Sequence, residues 1–303
     1  MAINVNWKGV YPALLTPFTA DDELDLPLFA KNLHAQLDAG VHGMIIAGSL
    51  GEVSTLSGSE KLALLETALE TTNGRVPVIM NVAEAVTKDA VRGAREAEAA
   101  GADGLMLLPP MRYFADSRET VAFFKTVAQE TSLPVMIYNN PVDYKIMTTV
   151  SMFEELAELP NIQAVKESTR DLTNITRMRN AFGDRYRILG GVDTLALEAQ
   201  LSGADGWVAG LVDAFPQETV AIFELVNAGR IQEALAIYRW FMPLLELDIQ
   251  PKLVQYIKLA AAATGIGSEY VRAPRLTLVG EERTRVLAVI EAALATRPVL
   301  QAV

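Results

Sequence analysis

The chain of 303 residues contains no cysteine. Disulfides, thiolate metal sites and a cysteine nucleophile are therefore excluded. It has only two histidines, His34 and His42, too few for a histidine-rich metal centre. No metal and no other cofactor is expected. Positive charge is also scarce: 26 Lys and Arg stand against 37 Asp and Glu, a formal net charge of −11. An acidic surface repels phosphates and anionic lipids, so no nucleic acid and no membrane is expected as a partner. A small anionic substrate is not excluded, because a local pocket can be positive within a negative protein. No uncharged apolar run reaches about 18 residues, so no membrane span is expected. The stretch MAINVNWKGVYPALLTPF (1–18) has no basic segment followed by an apolar run. No signal peptide is expected from it, and the chain reads as a soluble cytoplasmic protein.

Half of the residues are hydrophobic, enough for one large core, and 21% are charged, which argues against disorder. Short apolar runs alternate with longer stretches of helical period rich in Ala, Leu and Glu. The strand candidates are residues 10–16, 43–48, 76–82, 104–109, 134–139, 162–168, 186–191 and 206–210. Continuous apolar runs suit parallel strands covered on both faces. The segments AGVHGMII (39–46), AGADGLML (100–107) and SGADGWVA (202–209) share one layout. In each, a first Gly ends a helix and a second opens an apolar strand. Reuse of one αβ connection predicts repeated βα units. About eight such units close into an α/β TIM (β/α)8 barrel more readily than they form an open sheet. Beyond about residue 212 the strand runs stop, and three amphipathic stretches predict helices. The expected division is a barrel carrying the active site over 1–224 and a helical extension packed on it over 225–303.

Chemistry in such barrels sits where the strands end. Lys166 closes the sixth run. Its surroundings fit an ordinary salt-bridged lysine as well as a desolvated amine that attacks a ketone to form an imine. Tyr138 closes the fifth run and is either a core tyrosine or a proton shuttle beside Lys166. Gly48-Ser49-Leu50-Gly51-Glu52 follows the second run. It is either a plain βα turn or an anion site built from free amides at a helix N-terminus. Gly190-Gly191-Val192-Asp193 closes the seventh run, with Asp193 as a helix cap or a pocket residue. Asp103 and Asp205 fall at strand beginnings and read as structural. The acidic group Asp21, Asp22, Glu23 and Asp25 reads as a solvated loop rather than a cation site.

Taken together, GVYPALLTPF (9–18), GSLGE (48–52), YNNP (138–141), VKES (165–168), GGVD (190–193) and GADG (203–206) resemble the dihydrodipicolinate synthase/N-acetylneuraminate lyase family. These are the pyruvate-type class I aldolases on a (β/α)8 barrel, and the resemblance runs over essentially the whole chain. It implies a lyase with Lys166 as the imine-forming lysine and Tyr138 as the proton-shuttling tyrosine. It also implies that the backbone amides of Ser49 and Leu50 hold the substrate carboxylate, beside Gly48. The Ser49 hydroxyl is expected to reach Tyr138. Val208 and Gly191 are expected to line the pocket. A homo-oligomer, dimer or tetramer, is implied by the family alone.

Three departures bear on the substrate. Leu50 stands where dihydrodipicolinate synthases carry threonine. Asp143 stands at the place of an arginine that binds the second substrate's carboxylate. The segment that supplies a tyrosine across the subunit interface reads Pro110-Met111-Arg112-Tyr113, which leaves Arg112 and Tyr113 as interface or second-substrate residues. The expected activity is therefore a Schiff-base lyase or aldolase on a small 2-oxo acid. A hydroxypyrroline-carboxylate deaminase and an aldolase for a hydroxylated 2-oxo acid both fit. The alternatives are an authentic 4-hydroxy-tetrahydrodipicolinate synthase, condensing pyruvate with aspartate semialdehyde, and a non-catalytic barrel that binds a small acid.

Overall fold

The computed structural model describes residues 4–300. In chain order the barrel elements are β1 (Gly9–Pro12), α1 (Leu26–Ala39), β2 (Met44–Ile46), α2 (Gly58–Thr72), β3 (Val78–Val82), α3 (Thr87–Ala99), β4 (Gly104–Leu107), α4 (Ser117–Gln129) and β5 (Val135–Asn139). There follow α5 (Pro141–Tyr144), α6 (Val150–Leu156), β6 (Ile162–Glu167), α7 (Thr173–Phe182), β7 (Arg187–Gly190), α8 (Ala196–Leu201), β8 (Gly206–Ala209) and α9 (Pro216–Asn227). The strands pair in parallel in the order β1-β8-β7-β6-β5-β4-β3-β2. A parallel bridge between Ala13 and Ile45 joins the two ends. The expected TIM barrel is the observed fold.

The repeated AG–G pattern has a physical reason in the structure. Gly40, Gly101 and Gly203 all take left-handed backbone, with φ of 86°, 91° and 101°. That conformation costs a residue with a Cβ about 1–2 kcal/mol. The second glycine of each repeat is needed for space instead. A Cβ on Gly206 would lie 2.5 Å from the Gly9 carbonyl oxygen on the neighbouring strand. Asp205 accepts from the Ile188 amide at 2.8 Å and Asp103 from the Val78 amide at 2.9 Å, so each carboxylate pins a strand start. Sequence-visible caps set the helix starts. Ser57 with Glu60 and Asp116 with Glu119 form reciprocal capping boxes on α2 and α4.

The chain continues in α10 (Ile231–Leu245), α11 (Leu253–Ala263) and α12 (Gly280–Ala295). The division expected near residue 225 falls inside α9, which contacts β1, β8 and α1. We propose that the extension comprises α10 to α12. Trp240 Nε1 donates to the Ala293 carbonyl at 3.1 Å and Tyr256 Oη to Glu282 at 2.7 Å, so α12 holds both other helices.

One buried ion pair ties this extension to the barrel mouth. Glu52 and Lys258 are both fully buried, with Lys258 Nζ 2.5 Å from Glu52 Oε1. Lys258 also donates to the Tyr270 carbonyl at 2.6 Å, and the Arg272 amide donates to Glu52 Oε2 at 3.1 Å. Burial pulls the Lys258 ammonium down to about 8, against the opposing pull of Glu52. Removing Lys258 leaves the buried Glu52 with only the more distant Arg275 guanidinium, 3.6 Å away, as a cationic partner. Lys258→Met is expected to cost about 3–5 kcal/mol, read as a fall in the urea midpoint. An unchanged midpoint would show that the pair does not hold the extension in place.

Candidate active site

The register between β5 and β6 sets Tyr138 directly against Lys166. Both side chains point to the pocket at the C-terminal ends of the strands, and Lys166 Nζ lies 4.1 Å from the centre of the Tyr138 ring. Each is only 7% exposed. Burial pulls the Lys166 pKa below the ordinary lysine value, while Tyr144, Asp248, Asp193 and Asp143 pull it back up. Burial also pushes the Tyr138 phenol well above its usual value, so it is a proton donor at neutral pH. Asn140 Nδ2 donates to Tyr138 Oη at 3.1 Å and to Asp143 Oδ2 at 2.7 Å.

Gly191 is forced by this geometry. A Cβ there would sit 2.7 Å from two carbons of the Lys166 side chain and 2.2 Å from Ser168 Oγ. The glycine leaves room for the lysine to cross the end of β7. Ser168 Oγ in turn donates to the Gly191 carbonyl at 3.0 Å. Gly48, Ser49, Leu50 and Val208 complete the wall expected from the sequence.

The 48–52 loop differs from expectation in two ways. No helix begins directly behind it; a single 3₁₀ turn (Val53–Thr55) follows, and α2 starts at Gly58. The helix-dipole argument for anion binding therefore does not apply. What remains is the turn itself. Its internal bonds run from Glu52 N to Ser49 O at 3.2 Å and from Val53 N to Gly48 O at 3.1 Å, leaving the Ser49 and Leu50 amides unused by them. The second difference is the partner of the Ser49 hydroxyl. It lies 2.5 Å from Tyr144 Oη, not on Tyr138.

Asp193 caps no helix. It is buried and accepts from Trp207 Nε1 at 2.9 Å, Gly210 N at 3.1 Å and Leu211 N at 2.8 Å. It stitches the end of β7 to the end of β8. Asp143 is exposed at the pocket rim. Arg112 and Tyr113 are exposed and do not line the pocket of their own chain; Tyr113 Oη donates to Glu119 at 3.0 Å. Asp22 pairs with Arg272 at 3.0 Å and Asp25 caps α1, while Asp21 and Glu23 are exposed, as expected of a solvated loop. Among the described residues, no group of three or more His, Asp or Glu could hold a metal.

Three polar or charged pocket residues escaped the sequence reading. Tyr144 sits on the one-turn helix α5, with its ring 5.5 Å from that of Tyr138 in an edge-on arrangement. Asp248 comes from the turn between α10 and α11. Burial and the nearby Asp193 push its carboxyl up to about 8, against the pull of Lys166. Arg170 lies at the rim in left-handed backbone, φ 64°. The only available signal was for Tyr144, an aromatic residue six positions past Tyr138.

The family model described as the dihydrodipicolinate synthetase family matches residues 6–293. The chain belongs to this family. Its members are class I aldolase-type lyases that work through a Schiff base, and the chain is such an enzyme. A 4-hydroxy-tetrahydrodipicolinate synthase of Exiguobacterium sibiricum is 36% identical over 90% of this chain and 92% of its own length. A DapA-like lyase of Rhizobium meliloti is 31% identical over 76% of each chain. A solved dihydrodipicolinate synthetase-like structure from Pseudomonas aeruginosa is 30% identical, with a TM-score of 0.89 over 94% of this chain and 99% of that one. Among the described residues, no helix is long and apolar enough to cross a membrane.

Proposed function

We propose that this family member binds a small 2-oxo acid as an imine on Lys166. The observation that carries the reading is the Lys166 amine, desolvated and held 4.1 Å from the Tyr138 ring, in one pocket with the Ser49–Leu50 turn. The substrate carboxylate docks on the two free amides of that turn. The neutral amine adds to C2, and Tyr138 supplies the proton that lets the C2 oxygen leave as water. The protonated imine then withdraws electrons from the neighbouring carbon, which loses a proton or a carbon substituent.

The rest of the substrate is read from the rim. Leu50 adds an apolar side chain to the lining, and Asp143 and Asp248 add carboxyl groups to it. This lining favours a compact substrate with a single carboxylate and a hydroxyl or ring nitrogen to donate. A hydroxypyrroline carboxylate that is opened and deaminated fits, as does a hydroxylated 2-oxo acid that is cleaved. The synthase reading, pyruvate plus aspartate semialdehyde, has the stronger support from the relatives' names. A coupled assay over these substrates separates the two. The rim predicts a kcat/KM for the hydroxylated compounds at least ~100-fold above that for the semialdehyde, the discrimination expected of one unfavourably placed charge. A preference for the semialdehyde would establish the synthase reading. We also propose self-association; the exposed Tyr113 and Phe114 offer an aromatic contact face.

A further inference from the structure

Imine chemistry in a buried pocket needs a route for protons to reach water. Tyr138 is 7% exposed, and its oxygen accepts at 3.1 Å from Asn140, itself buried, so that bond does not lead to water. Tyr144 is placed to provide a route. Asn140 caps α5 by accepting from the Asp143 amide at 3.2 Å, and Pro141 fixes the first helical residue. The single turn folds back and brings Tyr144 over the pocket. There its ring meets that of Tyr138 edge-on, and its hydroxyl meets Ser49 Oγ at 2.5 Å. Tyr144 faces Lys166 on one side, while Ser49 is exposed to solvent on the other.

We propose that Tyr144 is a catalytic residue that passes protons between the imine pocket and solvent through Ser49, so that one chain holds the complete relay Tyr138, Tyr144 and Ser49. The inference rests on the imine reading above. When the carbinolamine collapses, the C2–O bond breaks and the nitrogen lone pair forms the C=N bond. The oxygen leaves as water with a proton drawn from the phenol pair. Ser49 returns that proton to Tyr144 and takes one from solvent. In the reverse sense, a proton removed from C3 of the imine leaves by the same path. Tyr113 is bound to Glu119 on the surface and lies outside the relay of its own chain.

The test uses the full-length protein with pyruvate in deuterated water. Exchange of the C3 protons is followed by NMR, and the imine is trapped in parallel with borohydride. Tyr144→Phe is expected to reach the wild-type extent of Lys166 adduct at equilibrium, though more slowly, and to slow C3 exchange by about 10²-fold, the lower range for a positioned acid or base. Ser49→Ala is expected to slow exchange in the same way, and Ser49→Thr, which keeps the hydroxyl, to restore most of it. A purely structural role for Tyr144 would lower the equilibrium extent of trapping together with exchange and would overturn the proposal. So would wild-type exchange in Tyr144→Phe, or a loss that appears in Tyr113→Phe instead. Absence of any adduct in the wild-type protein would refute the imine reading itself, a separate outcome.

Discussion

Lys166→Ala is expected to abolish borohydride trapping of every 2-oxo acid that the wild-type protein traps. Among the described residues, the variant removes the only amine that lines the pocket with Tyr138 and the Ser49–Leu50 turn. Lys166→Arg is expected to fail equally, because a guanidinium stays protonated and cannot add to a ketone. The wild-type trapping rate carries a second signature. Burial lowers the Lys166 pKa, so a larger fraction is neutral amine at any given pH. The trapping rate should therefore rise with pH to a midpoint below the 10.5 of an ordinary lysine. Trapping at wild-type level in Lys166→Ala, or a midpoint at the ordinary value, would remove Lys166 from the chemistry.

Tyr138→Phe is expected to lower turnover by about 10²–10⁴-fold, the contribution of a positioned acid or base. The substitution is selective. The phenylalanine ring keeps its place beside Lys166 and its edge-on contact with Tyr144. Only the phenol oxygen is lost. The Asn140 amide, deprived of that acceptor, still donates to Asp143 at 2.7 Å, so stability should fall by only about 1 kcal/mol. Steady-state kinetics beside a denaturation curve separates the two effects. A turnover loss matched by an equal loss of folded protein, or no turnover loss, would contradict the assigned role.

Much of the barrel was legible because parallel strands must be apolar on both faces. The apolar runs mark all eight strands, but all except those of β3 and β5 overshoot at the C-terminal end. The first run was read as residues 10–16, whereas β1 ends at Pro12. Ala13, Leu14, Leu15 and Thr16 are nevertheless buried, because the chain stays inside the barrel mouth after leaving the sheet. Burial and pairing part company at the end where the site is built. Lys166, Tyr138 and Gly191 were visible since each interrupts or closes an apolar run. Asp248 was not, because it reaches the pocket from a helical tail about eighty residues after Lys166 with no strand to announce it. Tyr144 was missed for a different reason. Its position depends on the one-turn helix α5, set by Asn140 and Pro141, a turn too short to leave a periodic signal. The Ser49 hydroxyl was assigned to the wrong tyrosine in consequence. The buried pair Glu52–Lys258 shows the same limit, as two charges more than two hundred residues apart meet only once the extension has packed.

The central claim is covalent, so the most direct measurement is covalent as well. The wild-type protein is reduced with borohydride in the presence of pyruvate, digested, and its peptides are mapped by mass spectrometry. The account predicts a single reduced adduct, on the peptide carrying Lys166. An adduct on another lysine, such as the exposed Lys145 or the buried Lys258, would contradict it, and so would a protein that turns over a 2-oxo acid and yields no adduct.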